Sequence, residues 1–329
     1  MKRKEEEIIG AYVRETENVP EMKSAEITPV IDDAEVEPPV QKTVLKRNIV
    51  RGTGASEGME SRLGYYELPV EELPTRGLFY PDGFKINIRS ARGEEIKHWS
   101  TMNDQDIQQL SRVDDILNYI VEKCCVVKNP EHPGPAWRDL KTVDRMYIIL
   151  AIKDLTFPEG ENELYMPIDK DDKIVIHKDM IDFIKIPDEL MEFYSSDDKC
   201  FSFDVCGQSI RMYIPSIGVN NWLKNYNMRK AINGESYDED FALYAPTLIR
   251  DYRLLNEKTY DELVASTRLW GIKEWSVVSY VVEMLNSASE PKVTYSDKGG
   301  AERELPLTFQ GGIKSIFVIP NPLRGICKL

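Results

Sequence analysis

Leu140-Lys-Thr-Val-Asp-Arg-Met-Tyr-Ile-Ile-Leu-Ala-Ile-Lys-Asp-Leu155 is the stretch on which the fold turns. Its middle, Met146 to Ile152, is apolar on every face of a helix, and a helix that is hydrophobic all round belongs at the centre of a folded body. It stops before Pro158-Glu-Gly160. Upstream, beyond a loop holding Pro130, Pro133 and Pro135, the residues Ile107, Leu110, Val113, Leu117, Ile120, Cys124 and Val127 form one stripe. That period predicts a long amphipathic helix from about Gln105 to Val127, with Asn103 as its N-cap.

Short alternating segments surround this pair. Phe84 to Ser90 reads as a half-buried strand, and Leu68 to Pro74 is held extended by its prolines. Between them, Thr75 to Gly83 is a loop punctuated by Gly77 and the turn signal Pro81-Asp-Gly83. Farther on, Asn162 to Ile168 and Lys173 to Ile176 are strand-like, and Met180 to Ile184 and Asp188 to Tyr194 are helical pieces. Lys199 to Asp204 and Ser209 to Ile214 alternate around Cys206-Gly207 as a hairpin should. Helices are expected over Ser216 to Ile232, over Asp238 to Tyr252, and as a pair from Asp261 to Asn286 interrupted at Gly271, where Thr259 and Glu262 form a capping box. Strands flanking Ser296 to Gly300 and a last apolar strand, Ser315 to Ile319, close the chain. The fold class is therefore α+β, a helix-rich body with small antiparallel strands and hairpins.

A composition break near Arg62 sets the domain organisation. Before it the only aromatic residue is Tyr12, and Glu15 to Val40 carries eight acids against the single base Lys23, with four prolines. Such a segment buries too little apolar surface to offset its ordering entropy. Residues 1–63 are thus expected to be a disordered acidic arm and 64–329 the folded body, with a subdivision near 160–215 left open. Within the arm, Val44 to Val50 is an apolar-basic island, read as linker or as a docking strand or helix.

The 329 residues carry a net charge of −14, so long-range electrostatics repel nucleic acid and anionic lipid, and no basic run with interleaved aromatics offsets them. No apolar window is long enough to span a bilayer, and no signal peptide opens the sequence. The expectation is no nucleic acid, no membrane and a protein that stays in the compartment where it is made. Five cysteines, Cys124, Cys125, Cys200, Cys206 and Cys327, suggest no disulfide framework and fit a reducing compartment. Cys124, Cys125, Cys200 and Cys206 read as small buried hydrophobes.

Motifs that carry chemistry are missing. His98, His132 and His177 never fall in a metal-and-base spacing, and two cysteines around one hairpin cannot complete a tetrahedral site. Gly52-Thr-Gly54 with Gly58 has the wrong spacing for a dinucleotide loop, and Gly311-Gly-Ile-Lys-Ser315 lacks a phosphate loop's Gly-Lys. Asp169, Asp171 and Asp172 lack the glycine and glutamate of a calcium loop. The reading is no enzyme, no cofactor and no metal. Of the tryptophans, Trp99, Trp137, Trp222, Trp270 and Trp275, most are expected in the core and some facing partners.

The loop Leu73-Pro-Thr-Arg-Gly-Leu-Phe-Tyr-Pro-Asp-Gly83 resembles an opening Leu-Pro-Ser-Lys-Gly-x-x-Tyr signature. It is similar to that of the baseplate hub assembly family of T-even-type contractile-tailed phages. The order that follows is also similar: a strand, a turn with Glu94-Glu95, a helix ending in a cysteine, then Asp144-Arg145 before an apolar run. The likeness is good from Leu68 to Ile168 and only in outline beyond. Relatives often carry a Cys-x-x-Cys-Gly knuckle in a late hairpin, and both cysteines are absent at Ser296 to Gly300. The resemblance implies a virion or assembly protein of the baseplate hub, assembled in the host cytoplasm and binding other tail or baseplate proteins, with a homo-oligomer left open. It carries no catalytic residue. A non-virion assembly chaperone or adaptor is the alternative, and a metal-dependent enzyme built on Asp144, Asp169 and Asp171 is the remote one. Arg76, Phe79 and Tyr80, on a loop stiffened by Pro74 and Pro81, are the expected partner-binding residues. In the competing reading Phe79 and Tyr80 strap the loop onto the core.

Overall fold

A computed structural model describes residues 64–101, 110–157, 162–170, 172–183, 186–289, 291–297 and 299–318. Tyr66–Leu68 (β1), Lys85–Ile88 (β2) and, after the helices Gly93–Ser100 (α1) and Leu110–Cys124 (α2), Cys125–Lys128 (β3) form an antiparallel meander in which Leu68 faces Ile86 and Ile88 faces Cys125. The central helix Thr142–Thr156 (α3) follows. Its five consecutive residues from Ile148 to Ile152 are all buried, as an all-round apolar run requires.

Leu164–Pro167 (β4) and Lys173–Ile176 (β5) make a hairpin, and Ile181–Asp182 (β6) leads past the short helix Asp188–Met191 (α4) into a second meander. That meander is Tyr194–Ser195 (β7), Cys200–Val205 (β8) and Gln208–Met212 (β9), in antiparallel order. Its tight turn is Cys206-Gly207, with φ of 51° and 81°. Two positive values are what a hairpin turn matching the strand twist demands. Four helices come next: Ile217–Ile232 (α5), Glu239–Leu248 (α6), Glu257–Thr267 (α7) and Ile272–Ser289 (α8). Ser216, Asp238 and Asn256 cap the first three with side-chain oxygens. Lys292–Ser296 (β10) and Glu302–Pro306 (β11) then complete a sheet in the order β11-β10-β6. The chain is an α+β protein, helix-rich with small antiparallel sheets, as its periodicity predicts.

All the described residues belong to one compact unit, built on three apolar clusters. The largest joins the first meander to α2 and α3, and includes Trp99, whose indole N–H donates to the Lys314 carbonyl at 3.1 Å. The second packs β8 and β9 against α8, and the third joins α5, α6 and α7.

Several expected elements take other forms. The helix expected to Val127 ends at Cys124, because Cys125 to Lys128 pairs with β2. Leu68 to Pro74 is extended only at its ends, since Val70–Glu72 is a 3-10 turn. Glu94 and Glu95 lie in the first turn of α1, not in a loop. Lys178–Met180 is a 3-10 turn and Ile181–Asp182 a strand, where a helical piece was expected. Tyr194 starts a strand, and Tyr252–Leu254 is a 3-10 turn separate from α6. Asn256, not Thr259, caps α7, with Thr259 as its reciprocal partner. The expected last strand begins instead as the 3-10 turn Ile313–Ile316. The arm of residues 1–63, Asn103, Asp171, Ile319 and Cys327 lie outside the described residues.

Candidate functional site

The loop between β1 and β2 is folded tightly on itself before it meets anything else. Arg76 N–H donates to Leu73 O at 2.8 Å, Leu78 N–H to Thr75 O at 3.1 Å and Tyr80 N–H to Gly77 O at 3.2 Å. Arg76 and Gly77 turn the chain with φ of 53° and 75°. A Cβ on Gly77 would stand 3.1 Å from Val70 Cγ2, so position 77 needs glycine for both conformation and space.

The central helix holds this loop through one carboxylate. Asp144, fully buried, accepts from Thr75 N–H at 3.0 Å, Thr75 Oγ1–H at 2.8 Å and the Tyr80 hydroxyl at 2.7 Å. The Tyr80 oxygen in turn accepts the Lys141 N–H at 2.9 Å. Burial pushes the Asp144 carboxyl up to about 6 against these three donors, and pulls the Lys141 amine down to about 8. The next residue, Arg145, points the other way and donates to Asp114 and Asn118 of α2. The Asp-Arg pair therefore ties the central helix to two different neighbours.

The expectation that Phe79 and Tyr80 offer their rings to a partner is corrected by their burial. Tyr80, 2% exposed, stacks on Phe84 at 4.3 Å within the largest cluster. Phe79, 3% exposed, belongs to the second cluster, with its ring 5.2 Å from Tyr194 and 5.3 Å from Phe201. The turn sends these two adjacent rings into different clusters, so one two-residue step pins two cores together. Only Arg76 of the three stays exposed.

The other candidate groups are scattered. Cys124, Cys125 and Cys200 are buried as expected, whereas Cys206 is exposed because the hairpin turn carries it. Cys124 Sγ lies 3.6 Å from Glu95, whose carboxylate holds Arg89 in a buried bidentate pair, and burial pushes its thiol up to about 12. His132 pairs with Asp251 at 3.3 Å, and His98 packs on Tyr119. Asp169 sits exposed on the β4–β5 turn, away from the interior that holds Asp144. Among the described residues no group of three His, Cys, Asp or Glu could hold a metal ion. An open cleft of about 480 Å³ is lined by Ile174, Val175, Met180, Thr294 to Ser296 and Glu302. No helix among the described residues is long and apolar enough to cross a membrane.

Sequence reading missed the apolar surface of the helical part. Leu269 and Ile272 are each 83% exposed, Ile232 76%, Leu254 70% and Leu243 68%. The two most exposed flank Gly271, which the periodicity marks only as a break between helices. Trp99 is in the core, and Trp137, Trp222, Trp270 and Trp275 are half-buried against neighbouring elements. No family model matches the chain, nor does any curated protein or solved structure.

Proposed function

We propose that the chain is a structural or assembly protein of a contractile-tail phage baseplate hub, working through protein–protein contacts rather than catalysis. The observation that carries the contact function is the exposed apolar set on the helical part, above all Leu269 and Ile272. Scattered surface leucines need no explanation, and two such residues within four positions are the feature read here as a contact surface.

The baseplate reading rests on the resemblance of the Leu73 to Gly83 loop and of the Asp144-Arg145 run. The geometry supports treating those two short motifs as one unit, since Thr75 and Tyr80 both donate to Asp144. A serine at 75 would keep the same hydroxyl, and glycine at 77 and tyrosine at 80 each have a structural task. The signature is thus a folding device of the body, with Arg76 the one of the three expected contact residues left at the surface.

Mass spectrometry of purified particles from the native source tests this. Stoichiometric recovery with tail proteins is expected for a structural subunit, and recovery only with tail-assembly intermediates for an assembly factor. Recovery with neither, while the chain is abundant in the producing cells, removes the baseplate reading.

A further inference from the structure

The open cleft lies between two strand edges. In an antiparallel pair, successive residues alternate between turning both backbone groups to the partner strand and turning them away. Leu307 N–H donates to Pro291 O at 2.7 Å and Asp297 N–H to Ala301 O at 2.9 Å, so the odd-numbered residues of β10 are the ones bonded to β11. Lys292, Thr294 and Ser296 therefore present N–H and C=O to the other side, where β6 meets only Lys292 and Val293. Thr294 and Ser296 line the cleft and have no backbone partner on that side among the described residues. Across the cleft the same alternation holds. Ile168 N–H donates to Asp172 O at 2.9 Å, which makes Val175 turn its backbone away from β4. Unpaired rungs of this kind specify one ligand chemistry, an extended peptide, and folded proteins normally cover such edges.

The chain carries a segment of that chemistry outside the described residues. Arg47-Asn-Ile-Val-Arg51, which overlaps the apolar-basic island, sets two β-branched residues between two arginines. The charged side chain lining the cleft is Glu302, exposed and in no ion pair with a described residue. Reach also favours it. The 12 residues from Gly52 to Leu63 span up to about 40 Å when extended. The body begins close by: Tyr147 Oη lies 3.5 Å from the Glu72 carboxylate, and the same ring lies 3.8 Å from Lys178 Nζ. Lys178 opens the 3-10 turn whose Met180 lines the cleft. A segment tethered this way acts at an effective concentration near millimolar, whereas a second copy must reach that concentration in solution.

We infer that Arg47 to Arg51 of the same molecule fills the cleft as an added strand, exchanging backbone hydrogen bonds with Thr294 and Ser296 and setting an arginine against Glu302. The edge of β10 is then covered by the chain's own arm. The inference stands on the two strand edges and is independent of the baseplate reading.

Amide hydrogen exchange of the purified full chain, read at single residues, tests this. Thr294 and Ser296 should exchange about tenfold more slowly in the wild type than in the double variant Ile49→Pro, Val50→Pro, whose prolines cannot donate to a ladder. Val293, already bonded to β11, should be equally protected in both, which shows that the variant keeps the fold. The protection of Thr294 and Ser296 should also survive about a hundredfold dilution, as an intramolecular contact does. Equal exchange of these two amides in wild type and variant overturns the inference. Protection that fades on dilution overturns it too, by making a second copy the occupant. Neither result alters the recovery of the chain with tail particles, so the two readings fail separately.

Discussion

Replacing Asp144 should reveal how much the central helix gains from holding the Leu73 to Gly83 loop. In Asp144→Ala, Thr75 N–H, Thr75 Oγ1–H and the Tyr80 hydroxyl all lose their acceptor inside the protein. Each orphaned buried donor costs about 1–3 kcal/mol, so the three together cost about 3–9 kcal/mol, less what is regained by removing a desolvated carboxylate, a large share of a domain's stability. Asp144→Asn differs. The carboxylate oxygen that accepts from both Thr75 Oγ1 and Tyr80 is the one an amide nitrogen would replace if the other oxygen keeps Thr75 N–H, while the buried charge disappears. Loss of charge-assisted hydrogen bonds and relief of desolvation then oppose each other.

pH separates these terms. Burial raises the folded-state carboxyl from 3.8 to about 6, so its contribution favours the fold below 3.8 and is lost as pH rises through 6. Between pH 7 and 4.5, a shift of this size stabilises the wild type by about 2 kcal/mol through this group alone. Asp144→Asn cannot titrate, so the stability of wild type minus that of the variant should rise by about 2 kcal/mol on going from pH 7 to 4.5, whichever of the two is the more stable at pH 7. The Lys141 amine, pulled down only to about 8, stays protonated across that window. Urea unfolding of both proteins at the two pH values gives the difference directly, with the many surface acids cancelling. A difference independent of pH, or one that falls toward pH 4.5, refutes the account of a desolvated, titrating Asp144.

Three further outcomes follow from packing. Phe79→Ala should cost about 3–5 kcal/mol in a denaturant melt, while exposed Arg76→Ala stays within about 0.5 kcal/mol of wild type; equal effects would contradict the strap. Gly218→Ala in α5 would set a Cβ 2.2 Å from the Tyr252 ring, so it should destabilise by about 1–3 kcal/mol despite alanine's better helix propensity. Tyr252→Ala in the same chain should recover part of that loss, seen as a non-additive double-mutant cycle. Glu95→Ala strands Arg89 from its buried bidentate partner, and a loss of about 3–5 kcal/mol in thermal or chemical unfolding is expected.

Helices and hairpins were legible in the sequence where a single period or turn governs them. Within Met146 to Ile152 the run from Ile148 onward is interior as its all-round apolarity requires, Met146 and Tyr147 staying half-buried, and Cys206-Gly207 is the tight turn expected between alternating strands. Misreadings cluster where a long-range partner decides the local form. Cys125 to Lys128 continues the helical stripe perfectly well, and becomes a strand only because β2 lies alongside. The same holds for function. Phe79 and Tyr80 on a proline-stiffened loop look like anchors for a partner, and nothing local reveals that Asp144, 64 residues beyond Tyr80, already claims the tyrosine hydroxyl. Conversely, Leu269 and Ile272 look like ordinary helix-end apolar residues, and only the fold shows Trp270 turned onto Trp275 while they stay in water. An aromatic loop drawn inward by a distant carboxylate, and an aliphatic pair left in water beside a packed tryptophan, share one cause. Burial is allotted by the tertiary fold, and the residues it leaves in water at a rigid corner are the ones free to meet another protein.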